Sequence, residues 1–242
     1  MSGHVDRTYR QFISEGNYSR FTVKISETDL FILADSDLAD LAFQSALKFR
    51  VQIEEYIRLH PEFKSSLVPI SGDKLAPDII KDMLKASATA GVGPMASVAG
   101  AISEYVGRDL IRESANVIVE NGGDIYLNVR DNVLIGLFAG DSPLTGRIAL
   151  SIDAKETPIG ICTSSGTVGH SLSFGNADAV CIKSRSAALA DAAATSVGNL
   201  IRKKSDIKKG LERAMCIDGV LGALIIKGDT LAVQGSMELK KT

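Results

Sequence analysis

Apolar residues in the first part of the chain follow the period of strands and then that of helices. Residues 20–24 and 29–34 alternate or run apolar around Ser26-Glu27-Thr28, which predicts a hairpin of two strands. From Leu38 to Tyr56, apolar side chains recur three, four and seven positions apart, which predicts a long helix. We expect this helix to end at His60-Pro61, because a proline cannot continue the helical hydrogen bonding.

Two further helices are predicted from the same periodicity. Pro77 suits the first position of one helix, which is expected to stop at the Gly-Val-Gly-Pro turn at 91–94. The next helix carries an apolar stripe from Val98 to Val106. The glycines of 91–100 are superficially similar to a dinucleotide-binding fingerprint, but they follow a helix rather than a strand, so a Rossmann fold is rejected. They are expected to form a tight turn between helices, whose amides face a ligand.

The pattern changes to short apolar runs separated by turns from Asn116 to Asp153. Turns of two to four residues join antiparallel neighbours, so this region predicts an antiparallel meander. Asn-Gly is the strongest short hairpin signal, which makes a tight turn the plain interpretation of residues 121–124. Further strands are predicted at Gly160–Ser164 and Ala179–Lys183, and a final hairpin around Gly228-Asp229.

The densest polar chemistry of the chain lies in one stretch of its second half. Thr163 to His170 offers hydroxyls and flexible amides suited to a concave nest for an anionic or polar ligand. A helix is predicted from Ser186 to Leu200, in which Asp191, Thr195 and Asn199 recur every four residues and share one face. Because magnesium takes oxygen ligands, Asp191 and Thr195 are candidate metal ligands. The alternative is that they are ordinary polar residues on a half-buried helix.

The composition and charge of the chain limit which functional classes it can belong to. The chain has 242 residues, 45% of them hydrophobic, which suffices for one large domain with its own core. A formal net charge of −2 with interspersed signs gives no field that favours nucleic acid or an anionic membrane. No apolar run approaches the roughly 20 residues of a membrane span, and the N-terminus lacks the hydrophobic core of a signal peptide. We therefore expect a cytoplasmic protein.

The three cysteines, Cys162, Cys181 and Cys216, are too scattered and odd in number for a disulfide framework. Cys162 adjoins the polar nest, where amides or a histidinium at His170 would lower its pKa and make it nucleophilic. A thiol enzyme or sulfur carrier that uses Cys162 is therefore an alternative function, beside an inert buried cysteine. A scaffold protein without a ligand is a third possibility, because fold does not fix function.

Four motifs follow one another in the order GVGPMASVAGAISEYVG, VENGGDIYL, TSSG and ALADAAATSVGN. Together they resemble the ApbE superfamily, best known for flavin transferases that use FAD and magnesium to attach FMN to a protein threonine. The longer run TSSGTVGHSLSFGNADAV followed by ADAAATS looks like an uncharacterised prokaryotic family with the same fold. The resemblance spans roughly residues 85–235. It implies an α+β fold in which antiparallel or mixed sheets pack with helices around a central cleft.

The resemblance also implies a ligand and the residues that hold it. It predicts a single domain of residues 1–242, or two close lobes at about 1–115 and 116–242. It predicts binding of a flavin or other nucleotide-like small molecule, with Mg²⁺ and FAD or FMN as cofactors. Asp191 and Thr195 match the Ala-Asp-x-x-x-Thr metal motif. The implied ligand-binding residues are Gly122, Gly123, Asp124, Thr163, Ser164 and Gly166, and the polar nest adds Ser165 and His170 to the candidates.

The chain also departs from the flavin transferases. They carry a Lys-Gly pair in the first glycine motif, where this chain has Ala99 and Gly100, and a His-x-x-Asp-Pro segment where it has residues 169–175. Whether the chain is an enzyme is therefore left undecided, with His170 and Cys162 as catalytic candidates. Neither nucleic acid nor a membrane is expected as a partner, and self-association is left open.

Overall fold

The computed structural model describes residues 18–166 and 175–241. Strands β1 (Ser19–Ile25) and β2 (Thr28–Ala34) form the predicted N-terminal hairpin, in antiparallel register from Ser19 opposite Ala34 to Ile25 opposite Thr28. Alternation in β1 turns Phe21 and Val23 toward the core and Arg20, Thr22 and Lys24 toward solvent. The hairpin forms one edge of the main sheet.

The helices are α1 (Ala39–Leu59), α2 (Pro61–Ser65), α3 (Asp78–Ala90), α4 (Val98–Leu110), α5 (Ala187–Gly198) and α6 (Ile207–Met215). Pro61 ends α1 as predicted, but it also begins α2, because the first helical position does not need the N–H that proline lacks. Gly91 ends α3 in the left-handed conformation, with a φ of 77°. Among the described residues, none of the helices combines the length and apolar character that crossing a bilayer requires.

The remaining strands are β3 (Val117–Asn121), β4 (Asp124–Asn128), β5 (Val133–Gly136), β6 (Ile148–Ile152), β7 (Ile159–Ser164), β8 (Ala179–Ser184), β9 (Val220–Lys227), β10 (Thr230–Gly235) and β11 (Glu238–Lys241). Eight strands form one sheet in the order β1-β2-β3-β4-β7-β8-β9-β10, and three form another in the order β11-β6-β5. The strand pairs in both sheets are antiparallel.

The single meander predicted for residues 116–153 is wrong in one respect. Strands β3 and β4 belong to the large sheet, but β5 and β6 leave it and pair with each other, and β6 also pairs with β11. The large sheet continues from β4 directly to β7. Short turns fix only which neighbouring strands pair, so the pattern could not show that the chain changes sheet after β4.

The central strands of the large sheet are buried on both faces. One face, which includes Cys162 and Val180, packs with the helices in the larger core cluster. The other face, which includes Ile161 and Cys181, packs with β5 and β6 in a second cluster. Strands covered on both sides lose the alternation of apolar and polar residues, which explains why β7 and β8 read as continuous apolar runs.

Candidate functional site

The Asn-Gly-Gly-Asp sequence forms the predicted tight turn between β3 and β4. Asn121 pairs with Asp124, and the two glycines between them have φ values of 68° and 105°, a conformation that suits glycine at both positions. The N–H of Gly123 donates to Oε1 of Glu120 at 2.7 Å. Its carbonyl accepts from the backbone N–H of Thr163 at 3.3 Å. The turn therefore lies beside the end of β7.

Asp124 starts β4 on the helix-covered face of the sheet, in register with Cys162 of β7, and is 9% exposed. Burial raises the pKa of the Asp124 carboxyl well above its usual range, and the nearby charges of Asp191 and Glu120 raise it further. Hydrogen bonds from the Cys162 thiol and the Thr163 backbone N–H act in the opposite direction. Asp124 is therefore a desolvated carboxyl held near a second one.

The second carboxyl, Asp191, lies on α5 and is fixed by the start of α4. Its Oδ2 accepts the N–H of Gly100 at 2.9 Å, and the N–H of Ala99 also hydrogen-bonds to it. These are the second and third residues of α4, so Asp191 occupies the anion position at that helix N-terminus. The expectation that the glycine amides of 91–100 face a ligand is therefore wrong for Gly100, whose N–H donates to Asp191. Burial raises the pKa of Asp191 to about 7, although the two N–H groups oppose the shift.

Helix α4 in turn supplies a carboxylate, Glu104, that accepts hydrogen bonds from the N-terminus of α5. Glu104 is 2% exposed. Its Oε2 accepts from the backbone N–H groups of Ala187 at 2.7 Å and Ala188 at 3.2 Å, and from Oγ of Ser186 at 3.0 Å. Each helix thus uses one carboxylate to cap the N-terminus of the other. The sequence analysis did not identify Glu104 as a structural residue. The one feature that could have indicated its role was a charged residue within the otherwise apolar segment of α4.

Two glycines let the first turn of α5 approach its neighbours at backbone distance. A Cβ added to Gly100 of α4 would lie 2.3 Å from the carbonyl oxygen of Ala187. A Cβ added to Gly160 of β7 would lie 2.3 Å from the Cα of Ala187. Real Cβ atoms do not approach so closely. The start of α5 is therefore wedged between α4 and the sheet, which brings Asp191 to the side of β4 that carries Asp124.

The other predicted site residues lie on α5, at the end of β7 or just after β7. Thr195 lies one turn beyond Asp191 on α5 and is half-buried. Thr163 and Ser164 end β7, and Ser165 and Gly166 follow them. The N–H of Gly166 donates to the carbonyl of residue 177 at 2.9 Å. His170, a candidate for both catalysis and ligand binding, lies outside the described residues, as does the rest of 167–174.

The cysteines differ in exposure: Cys162 and Cys181 are buried, and Cys216 is exposed. Burial raises the pKa of Cys162 well above its usual range, with further increases from Asp124 and Asp191, and burial raises the pKa of Cys181 to about 12. The Cys162 thiol also donates to the carbonyl of Ala187 at 3.3 Å. A neutral thiol is therefore favoured at position 162, which weighs against the thiol-enzyme interpretation.

We expect one fast-reacting thiol in the folded protein, at Cys216. A disulfide reagent at neutral pH should label Cys216 first and reach Cys162 and Cys181 only on unfolding, because a buried neutral thiol is both shielded and weakly nucleophilic. In the matched variant Cys216→Ser, the fast phase should disappear. Labelling of Cys162 in native Cys216→Ser protein would contradict this expectation and support the alternative that Cys162 is a reactive thiol.

Two surface cavities lie away from the carboxyl pair. One, of about 480 Å³, is lined by residues of α1, α3 and α4, and the other, of about 570 Å³, lies beside Tyr56 and His60. The cations lining the first, Lys48, Arg108 and Arg112, already face carboxylates at 4.0 Å or less. Neither cavity therefore matches the chemistry gathered around Asp124 and Asp191.

Comparison with solved structures defines the class of fold. The apo flavinyl transferase ApbE of Pseudomonas stutzeri aligns with a TM-score of 0.55 and 13% identity, over 90% of this chain and 94% of that one. The ApbE protein of Thermotoga maritima aligns with a TM-score of 0.54 and 14% identity, over 90% and 97%. The protein therefore has an ApbE-like α+β fold, which confirms the predicted fold class.

The sequence comparisons identify the family. The family model described as AbpE bacteria matches residues 10–237. A UPF0280 protein of Methanococcus aeolicus is 43% identical over 221 residues, or 89% of each chain, and one of Methanocaldococcus jannaschii is 40% identical over 225 residues, or 90% and 91%. The chain belongs to this family of ApbE-like proteins, as the sequence motifs indicated.

Proposed function

We propose that this protein binds a flavin or another nucleotide-like ligand together with Mg²⁺, and that Asp191 and Thr195 are ligands of the ion. The observation that carries the proposal is the half-buried Asp191 carboxylate on α5, which two backbone N–H groups of α4 hold in place. The flavinyl transferase whose fold this chain shares supports a flavin as the ligand.

The donors at this position suit a small hard cation. Carboxylate and hydroxyl oxygens are the groups that Mg²⁺ prefers, and the ion usually keeps several waters and contacts ligand phosphates. Within residues 18–166 and 175–241, no group of three or more histidine, cysteine, aspartate and glutamate side chains is arranged to hold a metal. The remaining coordination positions would therefore go to hydroxyl, water or phosphate oxygens. A bound ion would supply positive charge to screen the phosphates of the ligand.

The turn at Gly122 and Gly123 and the segment from Thr163 to Gly166 are the proposed walls of the ligand site. A Cβ added to Gly122 would meet no atom within 4 Å, and one added to Gly123 would meet only the Thr163 carbonyl oxygen, at 3.7 Å. Glycine therefore leaves open space at this turn, where a flat ligand can approach the backbone. No observation favours the thiol alternative, since Cys162 is fully buried.

The proposal predicts stabilisation by a nucleotide that depends on magnesium. FAD at about 100 times its dissociation constant should stabilise the native state by roughly 2.7 kcal/mol if it binds only the folded form. Asp191→Asn should abolish most of this effect, because the amide keeps the shape and removes the charge that holds the cation. Thr195→Val should weaken it less, since water can replace one neutral oxygen. Thermal melts with and without Mg²⁺ provide the measurement.

An exposed aspartate serves as the matched control. Asp218 is exposed and follows α6, so Asp218→Asn should keep the full Mg²⁺-dependent shift. An unchanged shift in Asp191→Asn would refute the metal assignment. If no flavin or adenine nucleotide raises the melting temperature, and mass spectrometry of the denatured protein releases no such molecule, the proposed function is wrong.

A further inference from the structure

The exposed apolar side chains of this protein are concentrated along helix α1 and in the segment after it. Among the described residues, ten large apolar side chains are exposed, and seven of them lie between residues 43 and 75. Phe43, Leu47 and Val51 of α1 are 45%, 42% and 46% exposed, and Leu75 is 96% exposed. Single exposed apolar residues are ordinary, whereas a concentration of them marks a surface that another molecule covers.

Three of these side chains form a ridge on α1. Phe43, Leu47 and Val51 follow one another at intervals of four residues, which places them in one row along the helix. A helix that packs on a core normally has polar residues opposite its buried face. The face of α1 that is buried in the core carries a different set of side chains, which includes Ala42, Ala46, Phe49 and Ile53. The ridge is therefore a second apolar face, and it is open to solvent.

The cations beside the ridge are paired within the chain. Lys48 Nζ lies 3.6 Å from Asp109, and Arg50 Nη2 lies 3.0 Å from Glu27 and 2.7 Å from Glu54. Two cations thus face three carboxylates, so this surface has no excess of positive charge. A helix that binds an anionic membrane carries such an excess on its polar face. The ridge therefore suits a protein surface that is apolar and carries charges of both signs, as this surface itself does.

The apolar area is of the size that a stable dimer needs. The segment that carries Leu75 adjoins the end of α1, where the Tyr56 hydroxyl donates to Oδ2 of Asp73 at 3.2 Å. At their exposures, the seven apolar side chains of residues 43–75 present roughly 600 Å². A standard interface buries about 800 Å² of each partner, a little over half of it apolar.

We propose that the ridge of Phe43, Leu47 and Val51 is the centre of a homodimer interface, in which α1 of one protomer crosses α1 of its partner at Leu47. A row of side chains four residues apart packs into the grooves of an identical helix at a crossing angle of about −50°, the commonest class of helix packing. A two-fold axis at Leu47 brings the same ridge of both protomers together and closes the assembly. This inference is independent of the proposed ligand.

The first test is sedimentation velocity of the full-length protein without ligand. Wild type should sediment as a dimer at about 10 μM and above. Leu47→Glu places two carboxylates opposite each other at the crossing, so it should weaken dimerisation by about 100-fold or more and leave a monomer at the same concentration. Leu134→Glu is the matched control, because it makes the same change at a leucine that is 38% exposed on β5, and it should stay dimeric.

A cross-linking experiment tests the position of the two-fold axis and does not depend on the folding of Leu47→Glu. Packed helix axes lie about 8–10 Å apart, which brings the Leu47 Cα atoms of the two protomers within about 7 Å, a distance that a disulfide can span. Leu47→Cys combined with Cys216→Ser, which removes the exposed native thiol, should give a disulfide-linked dimer on air oxidation. Leu134→Cys in the same background should give none.

Several results would overturn the proposal. A wild-type protein that is monomeric at about 100 μM has no such interface. A Leu47→Glu protein that is folded, as its melting temperature reports, and dimerises like wild type places the interface elsewhere. The same conclusion follows if Leu134→Glu loses as much affinity as Leu47→Glu, or if Leu47→Cys remains uncross-linked in a protein that is still dimeric.

Discussion

Replacing Glu104 by alanine is expected to lower the free energy of unfolding by roughly 3–5 kcal/mol, the range seen when one partner of a buried ionic group is removed. The carboxylate is 2% exposed and accepts from two backbone N–H groups and one hydroxyl at the start of α5, and it also pairs with Arg108. The variant leaves these donors buried without an acceptor. Urea-induced unfolding followed by circular dichroism measures the change.

Two variants show whether the interaction itself is responsible. Glu104→Gln keeps the shape and one acceptor oxygen, so its loss should be smaller than that of alanine. Glu113→Ala makes the same truncation at an exposed position beyond α4 and should change stability by no more than about 0.5 kcal/mol. Equal stabilities of the Glu104→Ala and Glu113→Ala proteins would show that the cap on α5 contributes nothing.

The metal-free protein is expected to lose stability as the pH rises from 5 to 8. Burial raises the pKa of Asp191 to about 7, above its value in the unfolded chain. Between about pH 4 and pH 7 the native state therefore holds a proton that the unfolded state releases, so stability falls through this window, and Asp124, whose pKa burial also raises, adds to the fall. One pKa unit corresponds to about 1.4 kcal/mol, so the fall amounts to a few kcal/mol at most. The melting temperature should decline by roughly 5–10 °C.

Melting curves in a chelating buffer test this, with Asp191→Asn as the comparison. The variant should show a flatter pH profile and a higher melting temperature than wild type at pH 8. Carboxyls such as Asp35 and Glu156, whose pKa values hydrogen bonds hold low, titrate below this range and do not contribute. Mg²⁺ should restore stability to the wild-type protein at pH 8 and have little effect at pH 5. Parallel profiles for the two proteins would contradict the assignment of the titration to Asp191.

Local patterns in the sequence predicted most of the elements of this fold. The turn at Asn121-Gly122 and the helix that carries Asp191 follow from residues close together in the chain, where turn geometry and helical period act directly. Family motifs added the fold class, which periodicity alone did not define. The assignment of Asp191 and Thr195 as metal ligands also starts from a local pattern, their four-residue spacing, and it stays a prediction.

Long-range contacts were not predictable in the same way. The acceptor for the amides of Ala187 lies 83 positions earlier, at Glu104, and the amide of Gly100 finds its acceptor 91 positions later, at Asp191. Neither pairing leaves a periodic signal. The same limit explains why the separate pairing of β5 and β6 was missed, since their short apolar runs fit either sheet.

The wedge formed by Gly100, Ala187 and Gly160 determines how freely the site can adapt. Because backbone meets backbone on both sides, α5 cannot slide or rotate at its first turn without displacing α4 or β7. The backbone that carries Asp191 is therefore preorganised, so a ligand bound at the proposed site would have little conformational entropy to remove from this helix. At the proposed site, adjustment to ligands of different shape would then fall to the turn at Gly122 and Gly123, where an added Cβ would meet at most one atom within 4 Å.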